Sequence, residues 1–182
     1  MKGSVLIVGV GNELLGDEGL GVHVARLLRS RKAGLPGSVR VLEAGTALFD
    51  LAGEMGRHQH VILVDAIRAG GRPGTIYRLE LDEIPEGDSQ GSPPLSLHDE
   101  GLFQLLARIR LLGLLPSRLT LIGAEPACLT PSLNLSPRLR RAAARIAAIL
   151  KSEVLRRQQT NTGPRKKGGS PRKSRPPTAR CS

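Results

Sequence analysis

Three side chains in this sequence have the chemistry of a hydrolytic or metal-binding site. Glu18 closes the run Asn12-Glu13-Leu14-Leu15-Gly16-Asp17-Glu18, which follows an apolar segment. Asp65 comes directly after His60-Val61-Ile62-Leu63-Val64. His98 lies in Ser96-Leu97-His98-Asp99, just ahead of a stripe of leucines at helical spacing. Two carboxylates and an imidazole offer two oxygen donors and one nitrogen, a set that suits divalent nickel or zinc with coordination positions left open. Ser96 with Asp99 three residues on resembles a capping box, which puts His98 in a first helical turn. The positive end of that helix disfavours the imidazolium, and the neutral ring is the form that binds metal. The spacing is irregular, unlike the two histidines of HExxH on one helix. On spacing alone, Asp65 fits a turn or helix cap equally well, and His98 fits an exposed surface position.

Other motifs are incomplete. Gly9-Val10-Gly11 begins a dinucleotide fingerprint, but Leu14 stands where a third glycine is required. Gly11 to Gly16 has the spacing of a phosphate loop, yet Asp17 occupies the lysine position and would repel phosphate. Cys128, in Pro126-Ala127-Cys128, has no neighbouring mark of a nucleophile and reads as a packing residue. His23, His58 and His60 fall on a helix or in the approach to a strand.

The elements that must position these groups follow from periodicity. Residues 4–10 form a continuous apolar run, the pattern of a strand buried on both faces. Leu20, Val24, Leu27 and Leu28 recur at helical spacing, and Gly34 and Pro36 end that helix. A short strand over 39–42, a helix carrying Ala47, Leu48, Leu51, Ala52 and Met55, and a buried strand over 60–64 complete two βαβ units. In an open parallel sheet, ligands bind beyond the carboxyl ends of the strands, where Glu18 and Asp65 both fall. Residues 75–81 alternate apolar and polar, which predicts a half-exposed edge strand. Residues 83–95 read as loop. Leu102, Leu105, Leu106, Ile109 and Leu112 predict a helix, 118–123 the last strand, and Ser136-Pro137 the capped start of a final helix. The expected fold is α/β: a three-layer α/β/α sandwich around a twisted, mostly parallel sheet of about five strands, one of them an antiparallel edge.

Composition divides the chain in two. The formal charge is +11, but nine of the 27 Lys and Arg residues lie between Arg156 and Ser182, where there are no acids. The remainder holds 18 basic against 16 acidic residues, so nucleic-acid binding is not expected of it. The expected division is an α/β domain over 1–155 and a basic, disordered tail over 156–182. A cut near Glu153 should then leave folding intact. Aromatics make up only 2% of the chain, so the core must be aliphatic. No apolar run approaches a membrane span, no secretory signal is evident, and two cysteines make no disulfide framework. A cytoplasmic monomer is expected.

The stretch Leu6-Ile-Val-Gly-Val-Gly-Asn-Glu-Leu-Leu-Gly-Asp-Glu-Gly-Leu-Gly21 resembles the opening of hydrogenase maturation proteases. The resemblance continues through Glu43-Ala44-Gly45-Thr46, Val64-Asp65-Ala66-Ile67, Pro73-Gly74-Thr75, Ser96-Leu97-His98 and Leu119-Thr-Leu-Ile-Gly123, covering roughly residues 4–150. It implies an endopeptidase that trims the C-terminal extension from the large-subunit precursor of a nickel–iron hydrogenase. Its metal-binding and catalytic residues would be Glu18, Asp65 and His98, with Asn12, Asp17, Glu43 and Thr46 touching substrate. The nickel would arrive with the precursor rather than reside in the enzyme. Two departures stand out: Glu43-Ala44-Gly45-Thr46 where the family often has Asp-Gly-Gly-Thr, and Ala127 after Pro126 where it often has Glu. The alternative function, of another class, is a nickel-sensing or nucleotide-binding module without peptidase activity.

Overall fold

The apolar runs become neighbouring strands of one five-stranded sheet in the computed structural model, which describes residues 4–30, 33–81 and 101–161. Strands β1 (Val5–Val10), β2 (Val39–Gly45) and β3 (His60–Ala66) are joined by β4 (Ile76–Glu80) and β5 (Arg118–Ala124) in the order β2-β1-β3-β5-β4. All pairings are parallel except β4 with β5, so the predicted antiparallel edge strand is β4. β2 runs three residues further than the four predicted, because Glu43, Ala44 and Gly45 continue alongside β1.

Helices cover both faces. Helix α1 (Leu20–Arg29) and the long α4 (Pro137–Asn161) pack on Val5, Ile7, Ile62, Val64 and Ile122. On the other face lie Leu6, Val8, Val61, Leu63 and Leu121, under α2 (Ala52–Met55) and α3 (Gly101–Leu111). Alternate residues of each central strand therefore enter opposite cores, as the period of two requires. The predicted second helix is mostly a 3-10 turn, Leu48–Leu51, followed by the single turn α2. As predicted, Ser136 caps α4, its Oγ accepting from the Leu139 amide at 3.3 Å.

Helix α1 lies unusually close to the sheet. A Cβ on Gly21 would collide with the carbonyl oxygens of Val10 and Val64, and one on Gly9 with the Gly21 carbonyl. These glycines serve helix–sheet contact rather than a nucleotide. The chain leaves β1 toward β2 on one side and β3 toward β5 on the other, so a topological switch point opens between β1 and β3.

At the far end of the sheet the final helix is tied down by polar groups. Val154 is buried. Arg157 Nη1 donates to His60 Nδ1 at 2.9 Å; a guanidinium only donates, so Nε2 carries the imidazole proton. That proton goes to Thr120 Oγ1 at 2.8 Å, and the Thr120 hydroxyl donates to Glu80 at 2.7 Å. Glu153 binds both Arg78 and Arg157 at 2.8 Å. Burial, reinforced by the Arg157 charge, lowers the His60 pKa to about 4. The expected boundary at 155 thus falls inside α4, which continues to Asn161. Residues 162–182, where most of the expected tail lies, are outside the described residues, as are 83–95 and the Ser96–Asp99 capping box.

The expectation for truncation changes accordingly. A chain ending at Glu153 loses Val154 and the Arg157–His60 bond, and should lose about 2–3 kcal/mol of unfolding free energy. A chain ending at Asn161 should match the full-length protein. Denaturant titrations of the two truncations decide it.

Candidate active site

The switch point becomes a cavity because the segment after β1 folds back over the strand ends. Gly11 has a φ of +110°, and a Cβ there would strike the Glu18 carbonyl and stand 3.1 Å from Asp65 Oδ1. Asn12 Oδ1 accepts from the Leu14 amide at 3.0 Å, closing an Asx-type turn. A 3-10 turn, Gly16–Gly19, then carries Asp17 and Glu18 to opposite sides: Asp17 is 1% exposed, whereas Glu18 is half-buried and lines the cavity.

The cavity has a volume of about 400 Å³. Glu18 and Asp65 lie on its wall together with Gly11, Gly45 and Thr46, and α3 contributes Leu102, Gln104, Leu105 and Arg108. Two of the three expected metal donors therefore share one space. His98 lies outside the described residues, in the segment leading into α3. Among the described residues, no three His, Cys, Asp or Glu side chains are close enough to hold a metal.

Asp65 is the electrostatically perturbed group. It is 6% exposed, and its Oδ1 accepts from the Ala66 amide at 2.7 Å. Burial raises its pKa, the Ala66 amide partly opposes this, and the Glu18 charge raises it further, to about 7. A carboxylic acid that titrates near neutrality is fit to exchange a proton at physiological pH.

The residues expected to touch substrate divide. Thr46 faces the cavity. Asn12 shapes the turn through its Oδ1. Asp17 turns inward, with Oδ2 accepting from the amides of Ala127 and Cys128 at 2.8 and 3.1 Å and Oδ1 from Ser136 at 2.7 Å. Glu43 binds Arg29 at 2.7 Å and Arg26 at 3.1 Å, joining β2 to α1. Both acids are engaged by groups of the fold itself. Cys128 is exposed, not packed, with its Sγ 3.1 Å from Thr130 Oγ1.

A further acid stands at this end of the sheet, with no motif in the sequence to mark it. Glu125 follows β5 directly, is 7% exposed, and its Oε2 accepts from the amides of Ala69 and Gly71 and from the Tyr77 hydroxyl, at 2.9, 3.1 and 2.9 Å. Burial works to raise its pKa, but these donors outweigh it and hold the carboxyl below its ordinary range. The rule that marks Asp65, an acid at the carboxyl end of a buried parallel strand, marks Glu125 equally.

The hydrogenase maturation protease family model matches residues 22–153. The Hydrogenase 2 maturation protease of Escherichia coli strain K12 is 38% identical over 134 residues, which is 73% of this chain and 79% of that protein. The chain belongs to the hydrogenase maturation protease family. It is thereby an endopeptidase, a hydrolase acting on peptide bonds. The crystal structure of a hydrogenase 2 maturation peptidase from a Thaumarchaeota archaeon superposes with a TM-score of 0.64 at 34% identity, covering 83% of this chain and 97% of that one. The maturating endopeptidase HybD from E. coli gives 0.63 at 32% identity, covering 82% and 93%. HupD of Rhodobacter capsulatus is 37% identical over 122 residues, although the match spans only 57% of that protein. Among the described residues, no helix is long and apolar enough to cross a membrane.

The perturbed carboxyl gives a stability prediction with a definite sign. Between pH 4 and 7 the unfolded chain releases the Asp65 proton while the fold retains it, so this group makes the fold less stable as pH rises. Asp65→Asn removes that penalty and keeps the oxygen that Ala66 uses. The variant should be more stable than wild type at pH 8, by about 1.4 kcal/mol for each tenfold difference in proton affinity between the folded and unfolded chain. The two proteins should converge below about pH 3, where both states of the wild type hold the proton. Urea unfolding at both pH values measures the difference.

Proposed function

We propose that this chain removes the C-terminal extension from the nickel-loaded large-subunit precursor of a nickel–iron hydrogenase. The observation that carries the reading is the convergence of Glu18 and Asp65 on one cavity at the switch point of a chain belonging to this family. In this reading nickel is cargo of the substrate. Glu18, Asp65 and His98 receive it, completing a coordination shell begun by the precursor. An acid–acid–imidazole set without thiolate holds nickel only modestly alone, so the precursor's own ligands supply the remaining affinity. An empty precursor is not gripped and escapes cutting.

Cleavage is then attack by water on the scissile carbonyl, in the manner of an aspartyl-type endopeptidase. Asp65 takes the water proton as the carbon–oxygen bond forms and returns it to the departing amine as the carbon–nitrogen bond breaks. Thr46 and the α3 wall flank the peptide. The enzyme acts in the cytoplasm, as a monomer, without nucleic acid or membrane. A nucleotide-binding module is disfavoured, since Gly9 and Gly21 are occupied by helix–sheet contact.

Purified protein should contain little metal, cleave nickel-loaded precursor and ignore the nickel-free form. Glu18→Gln, Asp65→Asn and His98→Gln should each lower kcat/KM by about 10²–10⁴ with unchanged circular dichroism, while Cys128→Ala stays active. Elemental analysis and a cleavage gel test this. Equal cutting of both precursor forms, or a stoichiometric resident zinc, defeats the reading.

A further inference from the structure

Asp17 and Glu18 are adjacent yet have opposite environments, and the difference assigns Asp17 a task. A buried carboxylate is costly unless its oxygens are satisfied. Here Oδ2 accepts from Ala127 and Cys128 and Oδ1 from Ser136, three backbone donors on the segment between β5 and α4. The same two segments are also joined through the backbone: Gly16 donates to Ser132 O at 2.8 Å, Ser132 to Leu14 O at 2.9 Å, and Asp17 to Cys128 O at 3.2 Å. Asp17 is thus the polar centre of a junction between the turn after β1 and the chain entering α4. An asparagine there has one accepting oxygen, and its amide group would face N–H donors.

We propose that Asp17 is a positioning residue for Glu18. It locks the 3-10 turn, Gly16–Gly19, to the segment at 127–136, and so fixes where the Glu18 carboxylate enters the cavity. In a turn this short the two neighbouring residues share a rigid backbone, so releasing one side chain lets the other drift. A displacement of about 1 Å at a metal-binding or reacting group lowers rate steeply, by up to roughly a hundredfold. The proposal rests on the reading of Glu18 as a nickel-contacting residue.

The decisive measurement is a double-mutant cycle of wild type, Asp17→Asn, Glu18→Gln and the pair, titrated with Ni²⁺ alone and assayed on nickel-loaded precursor. Asp17→Asn should weaken Ni²⁺ binding and reduce kcat/KM about tenfold where Glu18 is present, and change Ni²⁺ binding less than about twofold where Glu18 is already glutamine. The same loss in both backgrounds would show that Asp17 merely supports the fold, and no loss in either would remove it from the site; both overturn the proposal. Asp17→Ser repeats the cycle if the asparagine variant fails to fold. Amide exchange on the wild type gives a check free of substitutions. The Ala127, Cys128 and Ser136 amides should be protected together, and free exchange at Ala127 and Cys128 would eliminate the junction and the proposal with it. A wild type that neither binds Ni²⁺ nor cleaves precursor refutes the proposed function instead, leaving the junction itself to the exchange data.

Discussion

The structure depends on a backbone-to-backbone contact. Helix α1 crosses β1 and β3 so closely that any side chain at Gly21 would meet the carbonyls of Val10 and Val64. That approach sets the height of the helix N-terminus above the sheet, and with it the path of the turn connecting β1 to α1. With the helix held further off, as a methyl group at Gly21 would force, Glu18 would be carried away from the strand ends where Asp65 sits. Gly11 extends the same constraint, since its bare Cα lets the Glu18 carbonyl and the Asp65 carboxyl come near one point. Close packing transmits such displacements because the interior has no slack to absorb them.

Above this contact, three buried or nearly buried acids are separated by the number of donors each meets. Asp17 has three backbone amides, and Glu125 has two amides and a phenol. Asp65 has the amide of the next residue and a neighbouring negative charge. Donors stabilise the ionised form, and burial with like charge destabilises it. The first two therefore brace loops through these donors, while Asp65 is left close to the boundary between acid and base. The raised pKa of Asp65 thus goes with a sparse set of hydrogen-bond donors, beside neighbours whose carboxylates each meet three.

The opposite end of the sheet is arranged for stability instead. His60, Thr120 and Glu80 form a directed chain of hydrogen bonds into which Arg157 feeds from α4. Parallel strands leave their two ends unlike. One end gathers loops that can be shaped around a ligand, and the other gathers strand starts that can be sealed by a helix. The basic C-terminal half of α4 joins that seal through Arg157, although its composition alone suggests a solvated extension.

Strand and helix patterning in the sequence determined the layers, the mainly parallel sheet and the edge strand, because continuous apolar runs, alternation and helical spacing are local records of burial. It also placed Glu18 and Asp65 at the carboxyl end of the sheet, since a carboxylate at or beyond the end of a buried parallel strand can only emerge at that edge. The same rule covers Glu125, whose donors come from residues about 50 positions away and are invisible to local pattern. Only the tertiary structure decided which acids remain available. Asp17 and Glu18 are indistinguishable by type and position in the sequence. The 3-10 turn directs one into backbone donors more than 100 residues distant and the other into the cavity. Glu43 likewise meets partners that the sequence does not announce, Arg26 and Arg29 of α1. A side chain's chemistry is written in the sequence, but its remaining hydrogen-bonding capacity depends on partners that only folding assembles.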